Sequence, residues 1–418
     1  MTRFSRPLLD ACTAAFAAVL PLEQPADAAL SAFFRSHPKI GQRDRATIAD
    51  SAYAALRRRR LLERVAATQN PRRLALATWT ALLGANLREL DPWLRGDEAE
   101  WLASVKREAA APQAFEIECE LPDWAIERLR ARYDERAVLA LAKGLLQNAP
   151  LDLRVNPLKI SREAALERLA ADGLRSTATP YSPEGIRLQE KPAINRHPLF
   201  LDGGVEVQDE GSQLLCHLVA PKRGEMVVDF CAGAGGKTLA LGALMRSTGR
   251  LYAFDISPRR LAGLKPRLAR SGLSNVHPQR IEGVNDTRVK RLAGKIDRVL
   301  VDAPCSGLGT LRRNPDMKWR QTPEDVAELV EKQKSILAGA ARLVKPGGRL
   351  VYATCSILDE ENRGIVEDFL RNAPFTLRRA GDVLEKGGIR LQMEEYLELW
   401  PHRHGTDGFF AAVLERAA

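Results

Sequence analysis

The chain has 418 residues, 45% of them hydrophobic and 6% aromatic, which is enough for two or three globular domains. Its formal net charge of +10 favours a polyanionic partner such as nucleic acid, or reflects the arginines spread along the whole chain. No apolar run approaches the length of a membrane span. The six cysteines include no CxxC pair, which argues against a zinc framework, and without a clear signal peptide we expect them reduced in the cytoplasm.

Residues 1–120 have the pattern of a separate, almost entirely helical domain. Its first apolar positions recur at helical spacing, which favours an amphipathic helix over a secretory signal; they are Leu8, Cys12, Phe16 and Val19. A helix predicted over residues 44–64 contains the arginine-rich run Leu56–Leu61. This run is either a solvated helix face or a phosphate-contacting patch, and the solvated face is slightly favoured because four consecutive side chains point around a helix.

Residues 121–204 predict linker helices followed by a small α+β unit. The helix start Leu121–Trp124 opens the linker, and a strand follows at Leu151–Val155. Ser161 is placed to cap a helix that stops at Gly173. Short strands near residues 176–179 and 185–188 complete the unit, and we expect residues 195–204 to be a loop.

Residues 205–418 alternate between short apolar runs and helical patterns. Strands separated by helices of this length predict βαβ units and a parallel sheet, hence an α/β fold. The predicted strands are 226–230, 251–254, 276–281, 298–301, 349–352 and 409–414, and the predicted helices are 237–246, 258–271, 323–344 and 362–371.

A glycine-rich loop, DFCAGAGGKT over Asp229–Thr238, follows the first of these strands and opens a helix. Glycines allow close approach of a ligand to the backbone, and a helix N-terminus favours a carboxylate or phosphate. The spacing of Gly233 and Gly236 differs from that of a P-loop. Asp255 ends the next strand and is placed to bind a ribose diol. The pattern predicts an adenosine-type cofactor, either a dinucleotide or S-adenosylmethionine.

Two cysteines indicate which of these cofactors the chain uses. Cys305 in DAPCSGLGT and Cys355 in ATCS each follow an apolar strand, so both are expected at the carboxyl edge of the sheet. Hydride transfer has no need of two thiols. Methylation of cytosine at C5 needs a thiolate that adds to C6, and Asp302 is placed to assist near N3. Each cysteine alone is more often a small buried hydrophobe, but two in such loops favour the chemical interpretation.

Six motifs, in this order, resemble the Nop/Sun family of RNA cytosine-C5 methyltransferases: VQDEGSQL (Val207–Leu214), DFCAGAGGKT, DAPCSGLGT, RRNPDMKW (Arg312–Trp319), LVKPGGRLVYATCSILDEEN (Leu343–Asn362) and TDGFF (Thr406–Phe410). The resemblance covers about residues 121–416. More weakly, the N-terminal part is similar to the NusB-like domain of the bacterial 16S rRNA m5C branch. The resemblance to the Nop/Sun family implies a class I S-adenosylmethionine-dependent methyltransferase with a Rossmann-like fold and a mostly parallel seven-stranded sheet. The expected domains are a helical NusB-like domain (1–120), a linker with an α+β RNA-binding subdomain (121–204) and the catalytic domain (205–418).

The resemblance also implies roles for individual residues. Cys355 would be the nucleophile, Cys305 would assist product release, and Asp302 would contact the cytosine edge and lie by the cofactor. The cofactor-binding set would be Cys231, Ala232, Gly233, Ala234, Gly235, Gly236, Lys237, Asp255, Glu282 and Asp302. Ala234 stands where most members have proline. Asp286 is the alternative to Glu282 near the adenine, and Lys237 is alternatively expected to pair with an acid such as Asp229.

The resulting hypothesis is methylation of cytosine C5 in structured RNA, with ribosomal RNA favoured and transfer RNA left open. We expect S-adenosylmethionine as cofactor, a monomer, and no membrane partner. No metal is expected, because His402 and His404 have pair spacing without a third ligand. Two rival functions are a DNA cytosine-C5 methyltransferase, which would use the earlier cysteine alone, and a non-catalytic RNA-binding assembly factor.

Overall fold

The structure, a computed structural model, describes residues 4–418. Within that range no helix has the length and apolarity needed to cross a membrane. The α-helices are α1 Arg6–Val19, α2 Ala26–Ser36, α3 Gln42–Arg57, α4 Arg59–Ala66, α5 Pro71–Ala81, α6 Leu87–Leu90, α7 Glu98–Ala110, α8 Phe115–Cys119, α9 Asp123–Arg130, α10 Glu135–Leu145, α11 Arg162–Ala171, α12 Pro198–Leu201, α13 Glu210–Val219, α14 Gly236–Leu244, α15 Pro258–Ser271, α16 Thr287–Arg291, α17 Met317–Arg320, α18 Pro323–Ala341, α19 Arg363–Asn372, α20 Ala380–Lys386 and α21 Pro401–His404. The strands are β1 Leu151–Val155, β2 Ser176–Ala178, β3 Gly185–Leu188, β4 Val205–Val207, β5 Met226–Asp229, β6 Arg250–Asp255, β7 Val276–Arg280, β8 Ile296–Asp302, β9 Val344–Thr354, β10 Phe375–Arg378, β11 Leu397–Leu399 and β12 Phe409–Arg416.

The chain divides into two compact units. A helical unit comprises Met1–Gln147 together with Thr310–Thr322, and an α/β unit comprises Asn148–Gly309 together with Pro323–Ala418. The linker helices α9 and α10 therefore belong to the helical unit. The segment 310–322, which includes most of the RRNPDMKW motif, also packs in the helical unit although it lies between two stretches of the α/β unit.

The helical unit is built on apolar stripes of its helices. Ser5 caps α1 by accepting the N–H of Leu8, and the predicted stripe is confirmed, since Leu8, Cys12, Phe16 and Val19 are all buried. Trp79 of α5 is fully buried, and its indole N–H donates to Ser51 Oγ at 3.0 Å. A polar tip satisfied inside an apolar core fixes the position of this large ring.

The single helix predicted over residues 44–64 is wrong, because the chain breaks at Arg58 between α3 and α4. The carboxylate of Glu120 accepts the backbone N–H groups of Arg60 at 2.9 Å and Leu61 at 3.0 Å. These are donors that the first turn of a helix leaves without a partner inside the helix. A buried acid sixty residues away in the chain therefore supplies the start of α4, and no local pattern announces it.

The small sheet has the order β2-β3-β1-β4 with antiparallel neighbours. Ser161 caps α11 as predicted. Val205–Val207, which the sequence assigned to the catalytic domain, is the edge strand β4 paired with β1, so the boundary expected between residues 204 and 205 falls inside this sheet. The loop expected over 195–204 contains the one-turn helix α12, whose first N–H donates to His197 Nδ1 at 3.2 Å.

The main sheet runs in the order β10-β12-β9-β8-β5-β6-β7, with β11 paired to β12. Strands β7, β6, β5, β8 and β9 are parallel to their neighbours, whereas β12 runs antiparallel between β9 and β10. The α/β class with a mostly parallel, seven-stranded main path is confirmed. In such a sheet, ligands bind beyond the carboxyl ends of the strands, where the order reverses between β5 and β8.

Candidate active site

The glycine-rich loop leaves β5 at Asp229 and enters α14 at Gly236. Gly233 has φ of +56° and Gly235 has φ of +83°, in the left-handed region that glycine adopts without strain. A Cβ at Gly235 would lie 2.1 Å from Leu264 Cδ1, so a side chain there would have to displace Leu264 as well as adopt a strained backbone. The N–H of Gly233 donates to Asp255 Oδ2 at 2.8 Å, which ties the loop to the end of β6.

Asp229 lies fully buried beneath this loop. Its Oδ2 accepts the hydroxyl of Thr238 at 2.6 Å, and its Oδ1 has no hydrogen-bond partner among the described residues. Burial raises the pKa of Asp229 to about 7, with the nearby Asp302 adding to the effect. An unpartnered, buried carboxylate oxygen fits a ligand that brings its own N–H donor, such as the amino group of a methionine moiety.

Asp255 lies one strand farther along the same edge. It is buried, and besides Gly233 it accepts the N–H of Ser257 at 2.7 Å. The predicted set therefore meets in space: the loop, Asp229 and Asp255 all belong to the carboxyl ends of β5 and β6. Burial raises the pKa of the Cys231 thiol, so this residue contributes an uncharged wall.

The two candidate acids after β7 have different surroundings. The carboxylate of Asp286 accepts the N–H of Glu282 at 3.0 Å and that of Arg288 at 2.8 Å, so it caps α16 and shapes the turn. The Glu282 side chain is exposed. Of the two, Glu282 has the carboxylate that the turn leaves available for a ligand.

Lys237 and Asp302 form an ion pair at 2.7 Å between Nζ and Oδ2. Burial opposes the charge on Lys237, but attraction to Asp302 and the hydrogen bond between them prevail and raise the pKa of the ammonium group. The expected pairing of Lys237 with an acid is confirmed, but the acid is Asp302 and not Asp229. Lys237 joins the start of α14 to the carboxyl end of β8, so the cofactor loop and the DAPCS loop share one charged contact.

The two cysteines lie side by side. Cys305 Sγ and Cys355 Sγ are 3.4 Å apart and both side chains are half-buried free thiols. The hydrogen bond with Cys355, together with burial, raises the pKa of Cys305 well above its usual value. The arrangement is one protonated thiol, Cys305, beside a second sulfur that can accept its hydrogen bond. The other buried thiols have different environments, and burial raises the pKa of Cys216 to about 12.

Glu361, which received no role in the sequence analysis, holds both cysteine loops. Its buried carboxylate accepts the Ser306 N–H at 2.8 Å and the Ser306 hydroxyl at 2.5 Å. It also accepts the Ser356 hydroxyl and the Gln333 side-chain N–H. Ser306 and Ser356 directly follow Cys305 and Cys355. Glu361 lies in LDEEN, five residues after Ser356, and nothing in that local sequence indicates its contact with the distant Ser306.

A third loop closes the site from the other side. The Gly309 N–H donates to the Cys355 carbonyl at 2.8 Å, and the Gly408 N–H donates to the Gly309 carbonyl at 2.8 Å. A Cβ at Gly309 would lie 2.2 Å from the Gly408 oxygen. The TDGFF motif therefore meets DAPCSGLGT and ATCS through backbone contacts that require glycine.

The small sheet supports the cofactor loop from outside. Arg154 of β1 donates to the Gly236 carbonyl at 2.7 Å and to Gln208. Arg267 of α15 donates to the Ala234 carbonyl at 2.8 Å and pairs with Glu206 of β4. Ala234, the position that differs from the family pattern, is held through its carbonyl.

His402 and His404 lie in α21, not in a loop as expected. His404 Nδ1 accepts the Trp400 N–H at 2.9 Å, and burial lowers the pKa of both rings. Among residues 4–418 no cluster of three or more His, Cys, Asp or Glu side chains has the arrangement of a metal site.

The strand order with an antiparallel β12, the glycine-rich loop and the acids at the ends of β5 and β6 define a class I S-adenosylmethionine-dependent methyltransferase. A profile described as 16S rRNA methyltransferase RsmB/F matches residues 216–415. A second, described as an RsmF/B-like ferredoxin-like domain, matches residues 121–195. With the relatives below, these matches place the chain in the RsmB/F methyltransferase family, and the cofactor prediction is confirmed.

Two curated relatives and one solved structure illustrate the likeness. The probable ribosomal RNA small subunit methyltransferase B of Synechocystis sp. is 38% identical over 71% of this chain and 67% of its own length. The ribosomal RNA small subunit methyltransferase B of Sodalis glossinidius is 37% identical over 70% of this chain and 65% of its own. The aligned part thus spans about two thirds of these relatives. The crystal structure of PH0851 has a TM-score of 0.77 and 26% identity over 99% of this chain and 100% of its own.

Proposed function

We propose that this protein methylates C5 of a cytosine in RNA, with small-subunit ribosomal RNA as the substrate class. The observation that carries the proposal is the pair of sulfurs 3.4 Å apart, one of them held protonated. C5 of cytosine is a poor nucleophile until a thiolate adds to C6. A site with two thiols beside a methyl-donor loop suits that chemistry, and the names of the relatives point to ribosomal RNA.

In this proposal Cys355 is the nucleophile. Its sulfur adds to C6, with the Cys305 thiol 3.4 Å away. Asp302 faces the cytosine edge near N3, held in orientation by Lys237 at 2.7 Å. Cys231–Lys237 would hold S-adenosylmethionine, with Asp255 on the ribose and Glu282 near the adenine, and the bound cofactor would supply an electrophilic methyl group.

Cys305 acts in the second half of the reaction. Once Cys355 is bonded to C6, it no longer offers Cys305 the hydrogen bond that, with burial, raises the pKa of that thiol, so Cys305 loses its proton to solvent more readily. A Cys305 thiolate can accept the proton that must leave C5. Removal of that proton re-forms the C5–C6 double bond and expels Cys355 as a thiolate. The base has to leave its helical stack, because C6 is hidden in a paired helix.

The test is a pair of cysteine substitutions. Cys305→Ala should accumulate a covalent protein–RNA adduct that survives denaturing electrophoresis, because Cys355 adds but is not expelled. Cys355→Ala should form no adduct and no product. The reverse pattern would exchange the two roles, and adducts with neither variant would contradict covalent catalysis by these thiols.

The substrate is identified by bisulfite sequencing of total RNA from cells with and without the gene. Loss of one cytosine signal in small-subunit ribosomal RNA is the expected result. Loss in a transfer RNA instead would correct the substrate class and leave the chemistry standing. An unchanged pattern, together with undetectable cofactor binding by the purified protein, would favour the assembly-factor role.

A further inference from the structure

Three sequence features that the active site does not use meet in the helical unit. They are the arginine run 57–60, the LPDW motif ending at Trp124, and the KW pair at the end of RRNPDMKW. Arg59, Arg60, Trp124 and Trp319 line one open cavity of about 440 Å³, together with Pro122 and the acids Glu63 and Asp123. Cavities of about 300–1,000 Å³ are the usual size of small-ligand sites.

The aromatic walls of this tryptophan cavity are held in place. The Trp319 indole N–H donates to the Leu56 carbonyl at 2.8 Å, and the Arg59 guanidinium lies 5.9 Å from the centroid of the Trp319 ring. The Arg128 guanidinium lies 5.1 Å from the centroid of the Trp124 ring. Both tryptophans are half-buried, so their rings are already held in position before a ligand binds.

The four arginines of the run make different contacts. Arg57 donates to the Arg312 carbonyl at 3.0 Å, and Arg58 Nε lies 3.7 Å from the buried carboxylate of Glu120. Both therefore serve the packing of the helical unit. Arg59 and Arg60 face the cavity, so the run is neither a uniform solvated face nor a uniform phosphate patch.

The cavity arginines have replaceable partners. Arg59 pairs with Glu63 at 2.7 Å and Arg60 pairs with Asp123 at 2.6 Å, and these acids are 47% and 72% exposed. Ion pairs at a solvated surface contribute little to stability. A phosphate can take the place of either carboxylate and offers the same planar guanidinium a bidentate contact.

From this arrangement we propose that the tryptophan cavity binds an unpaired nucleotide of the RNA substrate. The base stacks on Trp124 or Trp319, and the adjoining phosphates bind Arg59 and Arg60. Unpaired bases are recognised in this way, by aromatic stacking together with arginine contacts to the backbone. The proposal rests on the proposed function, because it names the part of an RNA substrate that the helical unit would hold.

The test measures binding of the full chain to a fluorescein-labelled twelve-nucleotide oligouridylate. Trp124→Ala should weaken binding roughly tenfold, a typical effect of losing one stacked base, and Trp124→Phe should restore most of it. Arg59→Ala should reduce both the affinity and its salt dependence. Binding of a fully paired RNA duplex should change little in Trp124→Ala, since paired bases cannot enter the cavity.

The helical unit offers a matched control. Trp101 is also half-buried, with Arg73 at 5.0 Å from its ring centroid and paired with Asp97, but it lies outside the tryptophan cavity. Trp101→Ala and Arg73→Ala should leave oligouridylate binding unchanged. Equal weakening by the Trp101 and Trp124 variants, or no weakening by Trp124→Ala, would overturn the proposal.

Photocrosslinking of the unmodified chain gives a readout that does not depend on how the variants fold. An oligouridylate carrying 4-thiouridine should crosslink to peptides containing Trp124 or Trp319, and crosslinks confined to other peptides would overturn the proposal. The probe contains no cytosine. A chain that binds this probe through these residues but methylates no RNA would contradict the proposed function and support the cavity proposal. A chain that methylates RNA but does not bind the probe through these residues would support the proposed function and contradict the cavity proposal.

Discussion

At the scale of single residues, the candidate site depends on the contact between two thiols. Cys305 Sγ and Cys355 Sγ lie 3.4 Å apart, and this contact, with burial, raises the pKa of Cys305. That contact depends in turn on where each loop is held. Glu361 binds the residue after each cysteine, which makes it a positioning residue for both sulfurs.

Glu361→Gln should lower the rate of adduct formation by on the order of 10- to 100-fold, because small displacements of reacting groups have effects of that size. An amide places a donor where an acceptor is needed, so a buried N–H or hydroxyl of Ser306 or Ser356 would lose its partner, at about 1–3 kcal/mol of stability. Cofactor affinity should stay unchanged. The measurement is single-turnover adduct formation alongside cofactor binding by calorimetry.

The control for this variant is Glu367→Gln, on the exposed side of α19, which should match the unmodified chain in both measurements. Loss of cofactor binding in Glu361→Gln would show a general collapse of the site. In that case Glu361 would have a structural role for the whole α/β unit and no specific role in positioning the thiols.

Asp229 gives a prediction for pH. Its pKa is about 7 in the folded chain and near 4 when unfolded, so the folded state retains a proton that the unfolded state loses. The free energy of unfolding therefore falls as pH rises from about 4 to 7, at up to about 1.4 kcal/mol per pH unit from this group. Asp229→Asn removes that loss.

The unfolding temperatures of the two proteins should therefore be equal near pH 4 and differ increasingly as the pH rises. Above pH 7 the Asp229→Asn variant should be the more stable. The same variant should bind S-adenosylmethionine more weakly, since it lacks the unpartnered carboxylate oxygen. A variant that is less stable at every pH, with unchanged cofactor binding, would contradict this assignment.

At the scale of elements, the features set by local sequence patterns could be predicted, and those set by contacts distant in the chain could not. The alternation of strands and helices over residues 226–371 was readable because each element has its own apolar periodicity and punctuation. Residues 205–207, which form β4 beside β1, were assigned to the catalytic domain, because three residues carry no information on which neighbour they pair with. The break at Arg58 was missed because Glu120, which causes it, is distant in sequence.

The same division holds inside the candidate site. The glycine loop, Asp255 and the two cysteines follow strands directly, so the topology of a parallel sheet brings them together. Glu361 and the pairing of Lys237 with Asp302 depend on side-chain directions after folding. Motif spacing therefore predicted which groups meet at this edge of the sheet but not the contacts that hold them.

Arg154 links the small sheet to the cofactor loop, and this link gives the prediction at the element scale. Arg154→Met should weaken binding of S-adenosylmethionine roughly tenfold, because the Gly236 carbonyl at the start of α14 loses a charged hydrogen-bond donor. Arg168→Met, at an exposed position of α11 that pairs with Asp172, should have no effect. The measurement is equilibrium cofactor binding. Equal affinities for the two variants would show that the loop keeps its shape without the small sheet.

At the scale of the whole molecule, the chain folds as two units that do not follow chain order. The segment 310–322 begins five residues after Cys305, yet it packs in the helical unit. There Lys318 Nζ donates to the Arg57 carbonyl at 3.0 Å, and Asp316 accepts the N–H of Ala26 at the start of α2 at 3.1 Å. The stability of this segment should therefore follow that of the N-terminal helices.

Hydrogen exchange tests this division. Trp79→Ala removes the largest fully buried side chain of the helical unit, at about 3–5 kcal/mol, and should speed amide exchange in 310–322 together with α1 and α5 while β5 and β8 stay protected. Leu300→Ala, in the core of β8, should do the opposite. If 310–322 instead exchanges with β8, the segment belongs energetically to the loop that carries Cys305. The stability of the helical unit would then not influence the chain next to Cys305, and in the proposed function its contribution would be limited to binding RNA.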